Sequence, residues 1–282
     1  MKNFAQDRIL PWNQRQKAKL LLAFSIVFLV SVAVAGYFCH DAAMVTDFSR
    51  KNLAPSLAYP FGTDWMGRNM FYRTLTGLSM SILIGVGAAA VSAVMALVLG
   101  IAAATLGRRA DATISFLIDM VMGIPHILLL ILISYACGKG LKGVVAGVAL
   151  THWTSLARLI RSEVLQLKES EYIQIAQRLG HGKLQIAAKH MFPHLLPQFL
   201  VGLVLMFPHA ILHESGVTFL GMGLSTEQPA IGVILSESMR YLITGNWWLA
   251  LLPGIMLVLT VLLFDLGGTS LRRLLDPNSV HE

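Results

Sequence analysis

The sequence predicts an all-α integral membrane protein with six transmembrane helices and both termini in the cytoplasm. Of its 282 residues, 55% are hydrophobic and 13% are charged, whereas soluble domains carry about 25% charged residues. The apolar residues fall into six runs, each about long enough to cross a hydrocarbon core of ~30 Å. Most Lys and Arg residues lie between alternate runs, on one side of the membrane, which the positive-inside rule makes the cytoplasmic side.

Polar segments of very different length separate the six predicted spans. The first span follows a basic tail and is longer than the apolar core of a signal peptide, so we expect it to remain as an anchor. The net charge of +7 therefore marks orientation in the lipid bilayer and not a nucleic-acid site. The spans are residues 20–38, 80–106, 112–137, 144–160, 195–216 and 247–266.

These spans divide the chain into four parts. Residues 1–19 form a cytoplasmic tail, and residues 20–77 comprise the first transmembrane helix and an outer loop. Residues 78–268 form the core, with five spans and a cytoplasmic loop at 161–194. Residues 269–282 form a second cytoplasmic tail.

Glycine, alanine and proline give the spans local character. The second span contains Gly85, Gly87 and several alanines, and small residues let membrane helices approach closely. Pro125 and Pro208 lie inside the third and fifth spans, where proline kinks a helix. Before the last span, residues 231–242 predict a short amphipathic helix on the outer side.

The cytoplasmic loop contains an amphipathic stretch, residues 171–197, between strongly apolar runs. Gly180 ends the first helix, in which apolar residues recur at helical spacing. These residues are Ile173, Ala176 and Leu179, together with Tyr172 and Ile175. A second short helix follows, which Pro193 and Pro197 are expected to close before the fifth span. Such a helix pair can dock one face into the groove of a partner; the alternative is an ordinary amphipathic surface loop.

Histidines are the main candidates for chemistry inside the membrane. His209 and His213 lie one helical turn apart in the fifth span, next to Glu214, and His152 lies in the fourth. These side chains could hydrogen-bond to neighbouring helices, line a polar translocation path, or hold a metal ion transiently. We assign no firm metal site. A second pair one helical turn apart, His190 and His194, is expected at the cytoplasmic interface.

No catalytic motif accompanies these histidines. Asp119 and Asp265 lie within spans and are expected to pair with an arginine, a backbone group or water. The pattern G-x-x-x-x-G-K-[ST] does not occur, so we predict that the chain does not hydrolyse ATP by a P-loop route and is not itself an enzyme.

Several segments resemble permease subunits of ATP-binding-cassette (ABC) importers. The stretch containing Gln174, Ile175, Ala176 and Gly180 is similar to their EAA loop, although Gln174 and Ile175 replace two of the three signature letters. Glu171 matches an acidic residue that often precedes this motif in the peptide/nickel branch. The resemblance therefore does not depend on the loop alone.

Other segments carry the same resemblance, in the expected order. FGTDWMGRNMFYR, beginning at Phe61, resembles the branch's outer G-T-D-x-x-G-R-D motif. SGVTFLGMGLSTEQPAIGVILSE and the closing span with its tail resemble later segments, and HWTSLARLIRSEV resembles nickel-type permeases. The similarity runs from about residue 20 to 277. The matching residues of the outer motif are Gly62, Thr63, Asp64, Gly67 and Arg68.

The resemblance implies a type I ABC importer permease fold, with this chain as one of two homologous permease subunits in the inner membrane of a prokaryote. It implies an extracytoplasmic binding protein as the donor of substrate, and two ATPase subunits that bind ATP and Mg²⁺. This chain would then hold no cofactor. The residues it places at the ATPase contact are Glu171, Gln174, Ala176, Arg178 and Gly180.

Two other classes of membrane protein are alternatives to the importer. A secondary transporter or channel without ATP would favour inverted repeats with broken helices, and the sequence shows no such internal symmetry. A membrane-embedded enzyme would need a catalytic set that the sequence does not display. Within the importer class, a peptide, nickel, another metal and a metal chelate all stay open as substrates.

Overall fold

A computed structural model describes residues 13–275 of the chain, and its regular elements are helices. An isolated bridge pairs Thr63 with Asn69. Most of the predicted N-terminal tail and the end of the predicted C-terminal tail lie outside the described residues. The all-helical fold class is confirmed.

The helices differ greatly in length. They are α1 (Gln14–Phe38), α2 (His40–Met44), α3 (Met70–Thr105), α4 (Arg108–Gly123), α5 (His126–Ala136), α6 (Leu141–Lys168), α7 (Glu171–Arg178), α8 (Lys183–Ile186), α9 (Phe192–Phe219), α10 (Ile231–Leu242) and α11 (Trp248–Leu275). A 3₁₀ turn covers Phe48–Arg50, and a π-helical segment, Ala187–Met191, joins α8 to α9. Helix α10 occupies the range that the sequence predicts.

Five helical stretches are long and apolar enough to cross a membrane, and the bent pair α4 and α5 makes a sixth. The third predicted span, residues 112–137, is divided at Pro125, where α4 and α5 meet at 102°. The chain is extended at Ile124 (φ −96°, ψ 138°), as expected for the residue before a proline. Pro125 therefore bends this span, as its position predicts.

Helix α3 begins about ten residues earlier than the hydropathy pattern indicates. Asn69 caps its first turn, since its Oδ1 atom accepts a hydrogen bond of 3.0 Å from the backbone N–H of Phe71. The polar residues Arg73, Thr74 and Thr76 are buried in the first two turns. Because these residues lower the local hydropathy, a hydropathy pattern places the beginning of the helix too late.

Pro193 and Pro197 do not end a helix, which corrects the boundary predicted at those residues. The π-helical segment passes into α9, and the backbone N–H of Phe192 donates to the carbonyl of Ala187. Pro193 lies in the first turn of α9, where its missing N–H is tolerated. Pro197 and Pro208 both lie inside this helix.

Helix α3 is the central element, with α1, α6 and α9 packed against it. Its alanines at 88, 89, 93 and 96 are completely buried, which allows the close approach that the small residues predict. The Ser92 hydroxyl on the same face donates to the carbonyl of Ala149 on α6 at 2.9 Å. Two apolar clusters result, a larger one around α3, α6 and α9 and a smaller one that includes α1, α10 and α11.

Two ion pairs connect α4 to α6. Asp111 receives two hydrogen bonds from the Arg161 guanidinium, of 2.5 and 2.8 Å. Nearer the bend, Arg158 Nη2 lies 2.8 Å from Asp119 Oδ1. Of the partners expected for Asp119, an arginine, a backbone group or water, the structure shows the arginine.

Candidate functional site

The outer motif forms a buried ionic cluster at the start of α3. The Asp64 carboxylate lies 2.7 Å from Arg68 Nε and 2.6 Å from Arg73 Nη1. Glu237 on α10 completes the cluster, with Oε2 3.1 Å from Arg73 Nη2 and 3.5 Å from Arg68 Nη2. The motif therefore fastens the outer segment to α3 and α10.

Backbone geometry and hydrogen bonds explain why glycine and threonine occupy the other positions of this motif. Gly62 and Gly67 have φ values of 70° and 76°, and a Cβ at Gly67 would lie 1.8 Å from the carbonyl oxygen of Asp47. The hydroxyl of Thr63 donates to the carbonyl of Arg50 and accepts from the Leu53 N–H. These contacts fold the segment into a clip, in which the charged motif residues contact one another or Glu237.

The neighbouring Asp47 belongs to the exposed surface of the same clip. Its Oδ1 atom accepts hydrogen bonds from the Ser49 hydroxyl at 2.6 Å and from the Ser49 N–H at 3.0 Å. These bonds hold the pKa of the Asp47 carboxyl below its usual range. Asp47 thus stays ionised beside Arg50, whose Nε lies 3.0 Å away.

Helix α7 follows the long helix α6 and has one buried face. Ile173 and Ala176 are 0% and 5% exposed and belong to the large apolar cluster. The predicted contact residues Glu171, Gln174, Arg178 and Gly180 are all exposed. Ala176 differs from them, because the structure places its methyl group on the inner face of α7.

Helix α7 ends in a Schellman motif, which explains Gly180. The N–H of Gly180 donates to the carbonyl of Gln177 at 3.0 Å, and the N–H of His181 donates to that of Ala176 at 3.2 Å. Gly180 has a φ of 84°, while no atom lies within 4 Å of an added Cβ. Conformation, and not crowding, therefore requires glycine at this position.

The sequence predicts that one face of this segment is free to dock, and the structure shows an exposed apolar stripe on α7. Tyr172, Ile175 and Leu179 are 43%, 56% and 72% exposed. They follow helical spacing on one face, next to the exposed Glu171 and Arg178. Exposed apolar side chains on a polar surface helix, in a segment that faces water, are typical of a docking site for another protein.

Within the membrane-spanning part, histidines line a cavity of about 780 Å³ between the end of α4 and helices α5, α6 and α9. The structure brings together His126, His152 and His213, whose ring centroids lie 4.4–5.2 Å apart. His209 lines the same cavity one turn from His213. His126 was not among the predicted site residues; its place directly after Pro125 was the signal, because a helix break can line a cavity.

Glu214 does not line this cavity. Its side chain is completely buried, and its two oxygens accept hydrogen bonds from the Ser215 hydroxyl at 3.2 Å and the Thr218 hydroxyl at 3.0 Å. The structure thus places His152, His209 and His213 together and separates Glu214 from them. A role for Glu214 in the path stays a prediction.

Comparison with known proteins gives a consistent result. Residues 96–280 match the family described as "Binding-protein-dependent transport system inner membrane component". The chain is 32% identical over 278 residues to the dipeptide transport system permease protein DppC of Bacillus subtilis (strain 168), covering 98% of this chain and 86% of that protein. It is also 29% identical to the oligopeptide permease OppC of the same organism, covering 96% of this chain and 89% of that protein.

A third relative and a solved structure extend the comparison. The probable D,D-dipeptide transport system permease protein DdpC of Escherichia coli (strain K12) is 31% identical over 240 residues, with 85% of this chain and 80% of that protein covered. The fold is similar to a chain of the inward-facing MetNI methionine ABC transporter, with a TM-score of 0.61 and 17% identity. That match covers 73% of this chain and 98% of the other. At this identity it supports the fold alone.

Proposed function

This chain belongs to the family of inner membrane components of binding-protein-dependent transport systems, and on that premise we propose how it works as the permease subunit of an ABC importer. It is a multi-pass membrane protein whose ATPase is a separate subunit. Family membership also sets aside the alternative of an ATP-independent secondary transporter or channel. The proposal concerns the partners, the coupling contact, the membrane and the substrate.

We propose that α7 is the coupling helix that docks into an ATPase subunit. The observation that carries this is the exposed apolar stripe, which lies beside the buried face of the same helix. Ile173 and Ala176 fix α7 to the large apolar cluster, so a force on α7 is passed to packed helices and not absorbed by a mobile loop. The polar residues Glu171, Gln174 and Arg178 lie along one side of the stripe.

The proposed complex contains a second homologous permease, two ATPase subunits that bind ATP and Mg²⁺, and an extracytoplasmic binding protein. Its location is the inner membrane of a prokaryote, with α7 on the cytoplasmic side, as the positive-inside rule predicts. The outer clip faces the binding protein. The histidine-lined cavity, about 780 Å³ in volume, forms this chain's share of the translocation path.

The proposed cargo is a short peptide, since three of the similar proteins are named as dipeptide, oligopeptide or D,D-dipeptide permeases. A cavity of this size can surround a ligand of a few residues. Nickel or a metal chelate is the second candidate, and the histidines that line the cavity favour it.

Co-purification of the ATPase subunits tests the coupling contact. Ile175→Glu places a charge in the centre of the exposed stripe, so we expect the complex to lose its ATPase subunits, or the binding protein to stop stimulating ATP hydrolysis. Leu57→Glu is the matched control, because Leu57 is a fully exposed leucine of the outer segment. It should leave ATPase association unchanged. Normal association and stimulation with Ile175→Glu would show that α7 is not the contact.

A further inference from the structure

We propose that His126, His152 and His213 form a binding site for a transition-metal ion within the translocation cavity. One ring nitrogen from each residue can be chosen so that all three lie within 4.8 Å of one another. The residues come from three elements, the start of α5, the middle of α6 and the outer part of α9. This inference rests on the proposed function, because it assigns the cavity a cargo that carries a metal.

His152 is already held in the tautomer that a metal ligand needs. Its Nδ1 atom lies 3.0 Å from the carbonyl oxygen of Val148 and 3.1 Å from the Thr151 hydroxyl. We assign the proton to Nδ1, because a carbonyl only accepts. The lone pair is then on Nε2, which is buried and has no hydrogen-bond partner. A buried nitrogen without a partner costs free energy, and a backbone carbonyl on the opposite nitrogen is the usual support for a metal-binding histidine.

The other two imidazoles can adjust to an ion. His126 Nε2 has one long contact, 3.5 Å from the Thr151 hydroxyl, and that hydroxyl already donates to the Gly147 carbonyl at 2.9 Å. Metal–nitrogen bonds of about 2.0–2.1 Å place tetrahedral ligand nitrogens about 3.4 Å apart. The trio therefore has to close only slightly, by rotations of side chains that are only partly buried.

The chemistry of the cavity selects the class of metal. The described residues that line it include no Asp or Glu, while Met122 and Met206 contribute thioethers. Neutral imidazoles and thioethers favour nickel, cobalt, copper or zinc over magnesium and calcium, which require oxygen ligands. Peptides carry amine, amide and carboxylate groups that could fill the coordination positions left open by three histidines.

The position of the site suits passage and not storage. At about 1.5 Å per residue, His152 lies about 16 Å along α6 from Leu141, which is about half the thickness of a ~30 Å hydrocarbon core. From there the cavity extends along α6 and α9 to Leu159 and Gly202. Three protein ligands leave at least one coordination position open for a group that the cargo carries.

Metal binding to the complete transporter, purified through an affinity tag without histidine, tests the proposal. Equilibrium dialysis against Ni²⁺ and Zn²⁺ measures the ions bound per complex, and Co²⁺ reports nitrogen ligands through its visible absorption. We expect His152→Gln and the double variant His126→Gln/His213→Gln each to lose one bound ion per copy of this chain, or to weaken its affinity about tenfold or more. His194→Gln is the matched control, because it removes an exposed histidine of the same helix α9, far from the trio.

Three outcomes are informative. Unchanged stoichiometry and affinity in both variants would overturn the metal site, and a loss in His194→Gln equal to that in His152→Gln would also overturn it. ATP hydrolysis stimulated by the binding protein, measured on the same samples, reports the proposed function separately. If that stimulation is absent from the wild-type complex but the bound ion still depends on the trio, the metal site stands and the importer mechanism fails.

Discussion

The Oδ2 atom of Asp64 lies 2.6 Å from Nη1 of Arg73, and the two side chains are 4% and 3% exposed. The same carboxylate accepts from Arg68 Nε at 2.7 Å and from two backbone N–H groups, those of Met66 and Arg68. One side chain thus contacts two arginines and closes a turn. Because Glu237 on α10 contacts both arginines, the outer segment, α3 and α10 meet in one cluster of two carboxylates and two arginines.

Asp64→Asn is expected to destabilise the chain strongly. It keeps the size of the side chain but leaves two buried guanidinium groups with one carboxylate, and breaking a buried ion pair costs about 3–5 kcal/mol. Thermal unfolding of the purified complex measures the effect as a lower apparent Tm. Asp47→Asn is the control, since its pair with Arg50 is exposed and should change Tm little. Equal effects from the two substitutions would contradict the role of the cluster.

Gly180→Ala is expected to weaken the coupling helix by conformation alone. A φ of 84° costs an L-residue about 1–2 kcal/mol, so the turn after α7 should loosen and stimulated ATP hydrolysis should fall. Gly182→Ala serves as the control, because Gly182 has no positive φ and open space around its Cβ position. Gly180→Trp should impair coupling further. Full activity in both Gly180 variants would show that this turn does not set the position of α7.

The two ion pairs between α4 and α6 should differ in importance. Arg161 binds Asp111 through two hydrogen bonds, with side chains 29% and 32% exposed. Arg158 and Asp119 form one contact and are 52% and 69% exposed. We expect Arg161→Gln to cost about 1 kcal/mol and Arg158→Gln almost nothing, compared through apparent Tm values. The reverse order would mean that a feature other than burial decides these contacts.

Much of the fold could be predicted because lipid imposes a simple rule. Long apolar runs must become helices, and this locates α1, α6 and α11 directly. The beginning of α3 could not be found in this way, since Arg73 owes its burial to Glu237, which is distant in sequence. The helix continues through Pro193 because a π-helical segment precedes it. No local sequence pattern predicts that segment.

In the candidate site, too, local features could be predicted from the sequence and long-range contacts could not. The position of α7 and the role of Gly180 follow from local periodicity and could be predicted. The histidine trio could not, because its members lie in three separate helices and meet only after α5 bends away from α4. Sequence spacing favoured His209 as the partner of His213, whereas the structure places His126 closest to it, with ring centroids 4.4 Å apart.

Gly85 and Gly87 differ in their surroundings: Gly85 faces α9, whereas Gly87 faces open space. A Cβ at Gly85 would lie 2.5 Å from Ile211 Cγ1 and 3.2 Å from the backbone nitrogen of Ile211, while a Cβ at Gly87 would meet nothing within 4 Å. Gly85→Val should therefore push α9 away from α3 and cost about 1–3 kcal/mol or more. Gly87→Val should be tolerated by the chain itself. The amount of intact protein in membranes and its thermal aggregation in detergent measure this difference, and equal tolerance at both positions would mean that α3 and α9 are less closely packed than the structure shows.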